Sequence, residues 1–590
     1  MVGRVGVDTG GTFTDVVTDI GQVAKLASRR DDPARSVAEG VREVGGADTL
    51  AHGTTVATNA LLERRGGRVA LISSAGQRDV IEIARQVRPS LYDPWADRPE
   101  PLVPRALRFE VAGRLDATGK EVTPLGAIPT LPYDVDAVAV CLLHADLNPQ
   151  QERAVAAALG EHLVVCSTDV SPEYREYERT VTTVADAYLR RPCAAYLDGL
   201  RPVAPEVLVM TSAGGLVPLA EAAARPVALL LSGPAGGVLA AAAAAAAAGF
   251  ADCVTFDMGG TSTDVCLIRG GRPEPAAQRR VAGLPIRMPS LDVHTIGAGG
   301  GSLARVDAGG ALLVGPQSAG ADPGPASYGR GGSSPTVTDA DLAAGRIPLA
   351  GLAGLGRLDL DAARRALEAS GVTAEGVIAV VDHAMVQAVR AVSVQRGVDP
   401  AGLALVAFGG AGPLHACALA EALGMPAVVV PPRAGVLSAV GILGAPRQVD
   451  LVRSWADPAD HTGAIAAADE LRVLAARRAA GPAPTVETWL DCRYAGQSHE
   501  LTVPSVEAFA AEHARRNGFT MDGTPVEVVA IRASARWPSP VDTGALRVPD
   551  RKGPVTGPAV VAEVDCTIWV APGWRAAVHP SGSWLLTRVA

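Results

Sequence analysis

Short apolar runs recur along the chain, and several of them end in polar, glycine-rich loops. Residues 69–73, 137–143 and 403–408 have the length and continuous apolar character of buried parallel strands. Other segments carry apolar residues at helical spacing, and we expect helices at residues 150–159, 174–189 and 377–396. The alternation of strands and helices predicts an α/β protein.

The pattern changes after residue 450. Residues 451–485 are rich in alanine and polar side chains, which favours helix, whereas residues 486–590 hold short apolar runs between proline and glycine turns. We therefore expect three regions: a first lobe at 1–190, a second lobe at 191–450, and a small mixed or β-rich C-terminal domain at 451–590.

Composition narrows the class of protein. The chain has 590 residues, 48% of them hydrophobic and 19% charged, with 65 Gly and 44 Pro. These values fit a compact enzyme with many tight turns better than a disordered chain. The formal net charge of -9 and the lack of a basic stripe argue against nucleic-acid binding.

The eight cysteines are scattered, without the spacing of a zinc site, which favours a reducing compartment and buried thiols. Met1 leads directly into a strand pattern rather than a signal peptide. The long uncharged stretch at residues 226–251 is interrupted by glycine and proline, so we expect a buried helix and no membrane span. Together these features predict a cytoplasmic protein.

One sequence unit occurs twice. Residues 6–17 read GVDTGGTFTDVV and residues 254–265 read VTFDMGGTSTDV, so both contain the template D-x-G-G-T-x-T-D-V. Asp8 aligns with Asp257, and Thr12 aligns with Thr261. A single copy fits an ordinary hairpin with a side-chain-stabilised turn, but two distant copies favour a duplicated binding unit.

The residue types of this unit indicate phosphate chemistry. Glycines permit a tight turn whose backbone amides converge beside threonine hydroxyls, and such a nest suits phosphate oxygens. Carboxylates in the loop would repel phosphate unless a divalent cation lies between them, and Mg²⁺ is commonly held by one or two carboxylates with phosphate oxygens. Two such loops predict a Mg-nucleotide held between two lobes.

Two further glycine-rich turns follow apolar runs. Gly409, Gly410 and Gly412 follow the predicted strand 403–408, where a backbone free of side chains could pass beside a flat adenosine. Residues 232–237, SGPAGG, open an alanine-rich helix predicted at 238–248. That turn fits an anion site at a helix N-terminus and a plain helix cap equally well.

Together the motifs resemble the A subunit of the hydantoinase/oxoprolinase family. The matching segments are HGTTVATNALLERRG at 52–66, LLLSGPAGGV at 229–238, DVHTIGAGGGSLA at 292–304, SAGADPGPASYGRGG at 318–332, VAFGGAGPLHA at 406–416 and PPRAGVLSAVGIL at 431–443, besides the two repeats. The resemblance spans nearly the whole chain. It implies a duplicated two-lobe fold of the actin, sugar-kinase and heat-shock-ATPase type.

The resemblance also implies roles for individual residues. The first phosphate loop would comprise Asp8, Gly10, Gly11, Thr12 and Thr14, the second Asp257, Gly259, Gly260, Thr261 and Thr263, and the adenosine turn Gly409, Gly410 and Gly412. We expect ATP and Mg²⁺ as cofactors, with Asp8 and Asp257 as the catalytic and metal-binding carboxylates. The family commonly has Cys at Ser327, Asn at Ala213 and Asn at Asp341.

The implied activity is ATP-dependent hydrolysis of a cyclic amide, such as a hydantoin, 5-oxoproline or a related lactam, with a separate B-type subunit as partner. An ATP-dependent ketone carboxylase subunit is the alternative, since the same loops serve both. From another class, an actin-like nucleotide switch without small-molecule chemistry would also use this fold.

Overall fold

The computed structural model describes residues 2–29, 31–351, 356–478, 482–546 and 550–589. These residues form two large mixed sheets with helices between and around them, together with a smaller parallel sheet. The α/β class predicted from the alternating pattern is confirmed.

The first large sheet is built around a hairpin of Val2–Thr9 and Phe13–Thr18, which we call the first hairpin. Over the described ranges the sheet contains ten strands. Their spatial order is Leu501–Val503, Thr485–Tyr494, Val526–Trp537, Arg447–Ser454, Leu216–Pro218, Glu206–Met210, Ala47–Thr54, Val2–Thr9, Phe13–Thr18 and Val23–Ala27.

The second large sheet is built around a matching hairpin of Cys253–Met258 and Thr263–Arg269, the second hairpin. The spatial order is Arg272–Pro273, Thr263–Arg269, Cys253–Met258, Ala404–Phe408, Val428–Val430, Trp584–Arg588, Trp574–Val578 and Val555–Thr556, with Val293–Ile296 also paired to Thr263–Arg269.

The two sheets repeat one topology. In each, the first strand of the hairpin pairs in parallel with a later strand, Ala47–Thr54 in the first sheet and Ala404–Phe408 in the second. That strand pairs in parallel with a third, Glu206–Met210 or Val428–Val430. The duplication that the sequence repeat predicts is therefore visible in the strand order of both sheets.

Smaller strands complete the β-structure. A four-stranded sheet orders Val164–Cys166, Ala137–Cys141, Val69–Ser74 and Arg108–Val111. Two-stranded pairs join Arg114–Leu115 to Glu121–Thr123, Pro275–Ala276 to Ser290–Leu291, Arg279–Val281 to Leu284–Ile286, Ser302–Val306 to Leu312–Ser318, and Ala559–Ala562 to Thr567–Val570.

Several helices differ from their predicted bounds. The helix predicted at 174–189 begins at Glu176 and continues through Pro192 to Leu200, and the alanine-rich helix begins at Ser232. The α-helices of the described chain are Pro33–Glu43, Val56–Leu62, Val80–Ile83, Gln150–Ala158, Ser167–Val170, Glu176–Leu200, Leu219–Ala224, Ser232–Ala247, Val337–Ala343, Leu360–Ala369, Ala374–Val392, Gly412–Ala422, Leu437–Gly444, His461–Ala476 and Val506–Asn517.

Two helices cross between the sheets and lock them together. Ser232–Ala247 and Leu437–Gly444 approach so closely that a Cβ on Gly441 would lie 1.8 Å from the carbonyl oxygen of Gly236. The helix Leu437–Gly444 also contacts the first hairpin, where a Cβ on Gly6 would lie 2.4 Å from the carbonyl oxygen of Ala439. Glycine is required at these contacts because backbone meets backbone.

The sheets do not follow the predicted division of the chain. Strands at residues 485–537 extend the first sheet, and strands at 555–588 extend the second, so residues 451–590 contribute to both. The predicted boundary at 190/191 falls within the helix Glu176–Leu200. The region predicted as helix at 451–485 contains the end of the strand Arg447–Ser454 before the helix His461–Ala476, and its residues 479–481 lie outside the described ranges. The three-domain division stays a prediction.

One helical segment, residues 374–396, is long and apolar enough to cross a membrane by length and composition. Its residues Val377, Val381, Met385 and Val389 are fully buried in the core around the second sheet. A core helix passes the same test of length and hydropathy. All eight cysteines are likewise buried and unpaired. The cytoplasmic location stays a prediction.

Candidate active site

A cavity of about 1150 Å³ lies between the two large sheets. The turns of both hairpins line it. Residues 409–411, the start of the helix Ser232–Ala247, and Gly300 and Gly301 also line it. The cavity therefore receives backbone from both copies of the duplicated unit.

Each hairpin places two aspartates on the cavity. Strand pairing sets Asp8 directly opposite Asp15 and Asp257 directly opposite Asp264, and all four side chains line the cavity. Both turns are closed by equivalent backbone hydrogen bonds: the Gly10 amide donates to the carbonyl of Phe13, and the Gly259 amide donates to that of Ser262. The repeated sequence thus produces a repeated geometry.

Negative charge accumulates in this cavity. Burial, together with the nearby carboxylate of Asp15, raises the pKa of Asp8 to about 7. Burial raises the pKa of Asp264 to about 6, and burial with the neighbouring Asp264 and Asp8 raises the pKa of Asp257 well above its usual value. Lys25 pairs with Asp15 at 2.6 Å and partly opposes the effect in the first hairpin. The aspartates lie where a further cation would be strongly favoured.

The donor set fits a Mg²⁺ ion. The Oδ1 atom of Asp8 is buried and has no hydrogen-bond partner, so it is free to meet a cation or its water. A Cβ on Gly409 would lie 2.3 Å from Asp257 Oδ1, and one on Gly233 would lie 2.9 Å from Asp8 Oδ1. Carboxylates surrounded by backbone and hydroxyl groups, without thiols or imidazoles between them, are hard oxygen ligands of the kind Mg²⁺ prefers.

Most residues of the predicted site line this one cavity. They are Asp8, Gly10, Gly11, Thr12, Asp257, Gly259, Gly260, Thr261, Gly409 and Gly410. The cavity lining does not include Thr14, Thr263 or Gly412.

Strand geometry explains the position of the two threonines. Side chains alternate across a strand, so Thr14 and Thr263 point away from the face that carries Asp15 and Asp264. Both threonines are fully buried. The Thr263 hydroxyl donates to the carbonyl of Ala298 at 2.6 Å, and the Thr14 hydroxyl is hydrogen-bonded to Ser28. Both hydroxyls are thus engaged within the fold and brace the hairpins, and the assignment of Thr14 and Thr263 to the phosphate loops stays a prediction.

The glycine turn at 409–412 has two different parts. Gly409 has a φ of +79° and Gly410 faces open space, which leaves the turn accessible to a ligand. Gly412 begins the helix Gly412–Ala422, where a Cβ would lie 3.3 Å from the carbonyl oxygen of Phe256. Gly412 therefore packs the start of this helix against the strand Cys253–Met258, and its predicted contact with adenosine stays a prediction.

The SGPAGG turn belongs to a helix, which begins at Ser232. The Ser232 hydroxyl donates to the carbonyl of Thr54, whereas Gly233 and Pro234 face the cavity beside Asp8. The structure thus places the start of this helix at the cavity wall, which fits both an anion site and a plain helix cap, and the anion site stays a prediction.

Four cavity residues were not identified as site residues from the sequence. Asp15 and Asp264 close the repeated template, and the cross-strand pairing of a short hairpin was the signal that could have found them. Lys25 reaches Asp15 from the third strand, and the Ser438 hydroxyl donates to Asp257 Oδ2 at 3.4 Å from a distant helix. No local sequence pattern indicates that Lys25 or Ser438 contacts these aspartates.

A buried ionic chain adjoins the cavity. His415 lies between Asp382, 2.6 Å from its Nδ1, and Asp341, 3.2 Å from its Nε2. Burial alone would lower the pKa of His415, but the two carboxylates outweigh it and raise that pKa to about 10. The imidazole is therefore cationic at neutral pH, and Asp341 lines the cavity.

Glu563, Asp565 and Cys566 form a compact group whose ligand atoms could approach one ion. Their polar atoms are already engaged: Arg551 and the Trp584 indole donate to Glu563, and the Gly435 amide donates to Asp565. Burial raises the pKa of the Cys566 thiol well above its usual value. This group joins the C-terminal strands to the second lobe.

Comparisons with known proteins match most of this chain. A family model described as hydantoinase/oxoprolinase matches residues 179–449, and one described as the N-terminal region of hydantoinase/oxoprolinase matches residues 4–163. Both repeats fall inside these matches. The resemblance inferred from the motifs is confirmed.

Individual relatives cover most of the chain. The caprolactamase subunit alpha of Pseudomonas jessenii is 32% identical over 99% of this chain and 99% of its own. The acetophenone carboxylase gamma subunit of Aromatoleum aromaticum is 32% identical over 75% of this chain and 67% of its own. A 5-oxoprolinase of Arabidopsis thaliana is 32% identical over 74% of this chain but only 41% of its own.

A solved structure has the same fold. The crystal structure of the ATP-dependent caprolactamase from Pseudomonas jessenii matches with a TM-score of 0.86 and 31% identity, covering 100% of both chains. The two-sheet architecture is therefore shared with a protein described as ATP-dependent.

Proposed function

The chain belongs to the hydantoinase/oxoprolinase family, and from this premise we propose that it is the ATP-binding subunit of an ATP-dependent cyclic amidohydrolase. Its substrate class would be a hydantoin, 5-oxoproline or a related lactam. The observation that carries the proposal is the set of four aspartates that two equivalent hairpins place on one cavity between the lobes.

The hairpins supply what phosphoryl transfer requires. Catalysis of this reaction rests mainly on positioning and on neutralising charge. Asp8 and Asp257 would hold Mg²⁺, which supplies charge neutralisation at the transferred phosphoryl group. Thr12 and Thr261 line the cavity in the two turns, and their hydroxyls would donate to phosphate oxygens. One of the two aspartates would also orient the acceptor.

The amide bond of a lactam is too stable to hydrolyse readily, and phosphorylation of its carbonyl oxygen would activate it. Transfer of the γ-phosphoryl group to the carbonyl oxygen, with loss of the amide proton, gives an O-phosphorylated imidate and ADP. A first water then attacks the carbonyl carbon and the C–N bond opens, which gives an acyl phosphate and a free amine that takes up a proton. A second water hydrolyses the acyl phosphate, so phosphate leaves and the ring-opened amino acid remains. The chain's own part is to align the carbonyl oxygen with the phosphoryl group and to exclude bulk water during transfer.

A B-type subunit is the proposed partner. The names of two relatives, a subunit alpha and a gamma subunit, describe components of multi-subunit enzymes. The Arabidopsis relative is much longer than the region it shares with this chain, which leaves room for a fused second component. We expect ring opening to require the separate partner.

One observation favours a second candidate function. The acetophenone carboxylase gamma subunit is as similar to this chain as the caprolactamase subunit is, over a shorter alignment. In that function the phosphorylated species would be the enol of a ketone, and bicarbonate would be activated as well. The same hairpins would serve it.

The decisive experiment measures ATP hydrolysis by the purified chain with Mg²⁺, with and without its co-expressed B-type partner. The substrate panel contains hydantoins, 5-oxoproline, larger lactams, and small ketones with bicarbonate. Stimulation by a lactam with ring-opened product is the expected result and identifies the substrate. Stimulation only by a ketone with bicarbonate would establish the carboxylase, and turnover indifferent to every substrate would establish a nucleotide switch.

A further inference from the structure

One end of the cavity forms a recess with mostly apolar walls. Tyr328, Ile347, Ala411 and Leu414 line it, and the carboxylate of Asp341 is the acidic group among them. Ile347 and Leu414 belong to a small hydrophobic cluster against which Tyr328 and Ala411 pack. Apolar faces with one polar contact are what a flat aromatic heterocycle requires of a binding pocket.

The recess is tied to the second hairpin by backbone hydrogen bonds. The Ala411 amide donates to the carbonyl of Met258 at 3.1 Å, and the Gly300 amide donates to that of Gly259 at 3.0 Å. The Thr338 amide, one turn before Asp341, donates to the carbonyl of Gly300 at 2.8 Å. A nucleotide with its phosphates on the hairpins therefore has this recess within its own reach, beside the glycine turn.

Asp341 has an unused acceptor. Its side chain is 1% exposed, and its Oδ1 atom has no hydrogen-bond partner. Arg346 Nη1 lies 3.8 Å from Oδ1, too far for a hydrogen bond. A buried carboxylate oxygen without a hydrogen-bond donor costs free energy, so a ligand group that donates to Oδ1 would be favoured there.

The other side of this carboxylate is held in place. His415 lies 3.2 Å from Asp341 Oδ2 and is anchored on its far side by Asp382. The contact of His415 with Oδ2 restrains the carboxylate, and Asp341 is the member of this ionic chain that lines the cavity.

We propose that Asp341 recognises the exocyclic amino group of adenine and sets the base preference of the nucleotide site. The inference rests on the proposed nucleotide function and adds the residue that reads the base. A carboxylate can only accept hydrogen bonds, whereas the Asn common at this position in the family can also donate. This chain should therefore discriminate against purines that lack an amino donor at position 6.

The test is a double-mutant cycle between protein and ligand. Binding of ADP and of purine riboside 5′-diphosphate, which differs only by lacking the amino group, is measured by calorimetry with Mg²⁺. For the unaltered protein we expect loss of the amino group to weaken binding about 10-fold to 100-fold, the range for a hydrogen bond to a charged group. In Asp341→Ala the two ligands should bind within about threefold of each other.

Asp341→Asn is the second variant, since it preserves size if the alanine variant fails to fold. Its amide can donate to the 6-oxo group of inosine 5′-diphosphate, so the preference for ADP over that ligand should fall about 10-fold or more. Asp361→Asn is the matched control: it makes the same change at an exposed carboxylate outside the cavity lining and should leave the preference for ADP in place.

The outcomes separate the two levels of the argument. The role of Asp341 would be overturned if removal of the amino group weakened binding equally in the unaltered protein and in Asp341→Ala. It would also be overturned if Asp341→Asn kept the full preference for ADP over inosine 5′-diphosphate. Tighter binding of GDP than of ADP would overturn the assignment to adenine. Failure of every diphosphate to bind the unaltered protein would instead contradict the nucleotide site, and with it this inference.

Discussion

The two hairpins share a fold, a register and a pair of facing aspartates, but they differ in what neutralises those aspartates. In the first hairpin the ammonium of Lys25 lies 2.6 Å from Asp15 and 5.0 Å from the centre of the Phe13 ring. In the second hairpin the neutral hydroxyl of Thr295 donates to Asp264. The first copy has a cation in an ion pair with its aspartate, whereas the second has a hydrogen bond and the more remote positive charge of Arg279, which partly offsets the raised pKa of Asp264.

This difference suggests that the two hairpins have different roles in binding the metal ion and the nucleotide. Burial, with Asp264 and Asp8 nearby, raises the pKa of Asp257 well above normal, and the hydrogen bond that the Ser438 hydroxyl donates to it is long at 3.4 Å. The second hairpin therefore depends more on a cation from outside the chain. We expect it to be the main anchor of the metal, with the first hairpin positioning phosphate and acceptor.

The sharpest test of this inequality is the isosteric change Asp257→Asn. It removes the carboxylate that most needs a cation, so ATP turnover should fall on the order of 10²–10³-fold, with the Mg²⁺ concentration for half-maximal rate rising about 10-fold or more. Steady-state ATPase assays over a Mg²⁺ titration measure both quantities.

Asp8→Asn is the matched comparison. It should also reduce turnover strongly but shift the Mg²⁺ requirement less. Both variants should melt at or above the temperature of the unaltered protein without nucleotide, because each removes a buried charge. Full ATP turnover by Asp257→Asn, or a larger Mg²⁺ shift for Asp8→Asn, would contradict the assignment.

The raised pKa values also predict how stability depends on pH. Asp8 titrates near pH 7 when folded and near 3.8 when unfolded, so the folded protein binds more protons between these values. Stability should therefore fall as pH rises from about 4 to 7, by about 4 kcal/mol for Asp8 before solvent relaxation is allowed for. Asp264 adds to the same slope up to about pH 6.

Thermal denaturation at a series of pH values, with and without Mg-ATP, measures this effect. Mg-ATP should restore stability most at pH 7 and above, since the ion compensates charged carboxylates, and Asp8→Asn should show a shallower slope. A melting temperature without nucleotide that rises steadily from pH 5 to 8 would contradict the electrostatic account.

The sequence predicts which site residues come together within each hairpin, but not those that tertiary structure brings together from distant segments. A repeated template with glycines at its turn predicts a hairpin, and hairpin pairing then places Asp8 near Asp15 and Asp257 near Asp264. The chain of Asp341, His415 and Asp382 comes from three separate helices. No local period or motif specifies that meeting.

The same limit explains the fold beyond residue 450. Short strands can be recognised one at a time, but the partners of these strands lie between 76 and 158 residues away. The strand Val526–Trp537 pairs with Arg447–Ser454 of the first sheet, and Trp584–Arg588 pairs with Val428–Val430 of the second. Local pattern predicted strands there and could not show that they extend both lobes.

Removing the built-in cation would make the first hairpin resemble the second. Lys25→Met leaves Asp15 buried without its partner, so we expect about 3 kcal/mol of destabilisation at pH 8. The loss should be smaller at pH 5, because burial raises the pKa of Asp15 and its neutral form becomes more favoured as the pH falls. Denaturant unfolding at both pH values measures the difference. Lys25→Arg keeps the charge, so its free energy of unfolding should be close to that of the unaltered protein. Equal destabilisation of both variants would show that the packing of Lys25, rather than its charge, stabilises the hairpin.

The smallest effects should come from the threonines, and they test which hydroxyls face the ligand in each hairpin. Thr261→Val removes a hydroxyl that lines the cavity, so it should raise the KM for ATP about 10-fold with little change in stability. Thr263→Val removes a hydroxyl bound to the carbonyl of Ala298, so it should cost about 1 kcal/mol of stability and leave the KM unchanged. ATPase assays and thermal melts of both variants measure this. An increase in KM for Thr263→Val equal to that for Thr261→Val would indicate that both hydroxyls contact phosphate. A hydroxyl that only braces the hairpin should change stability, whereas one that faces the ligand should change the KM.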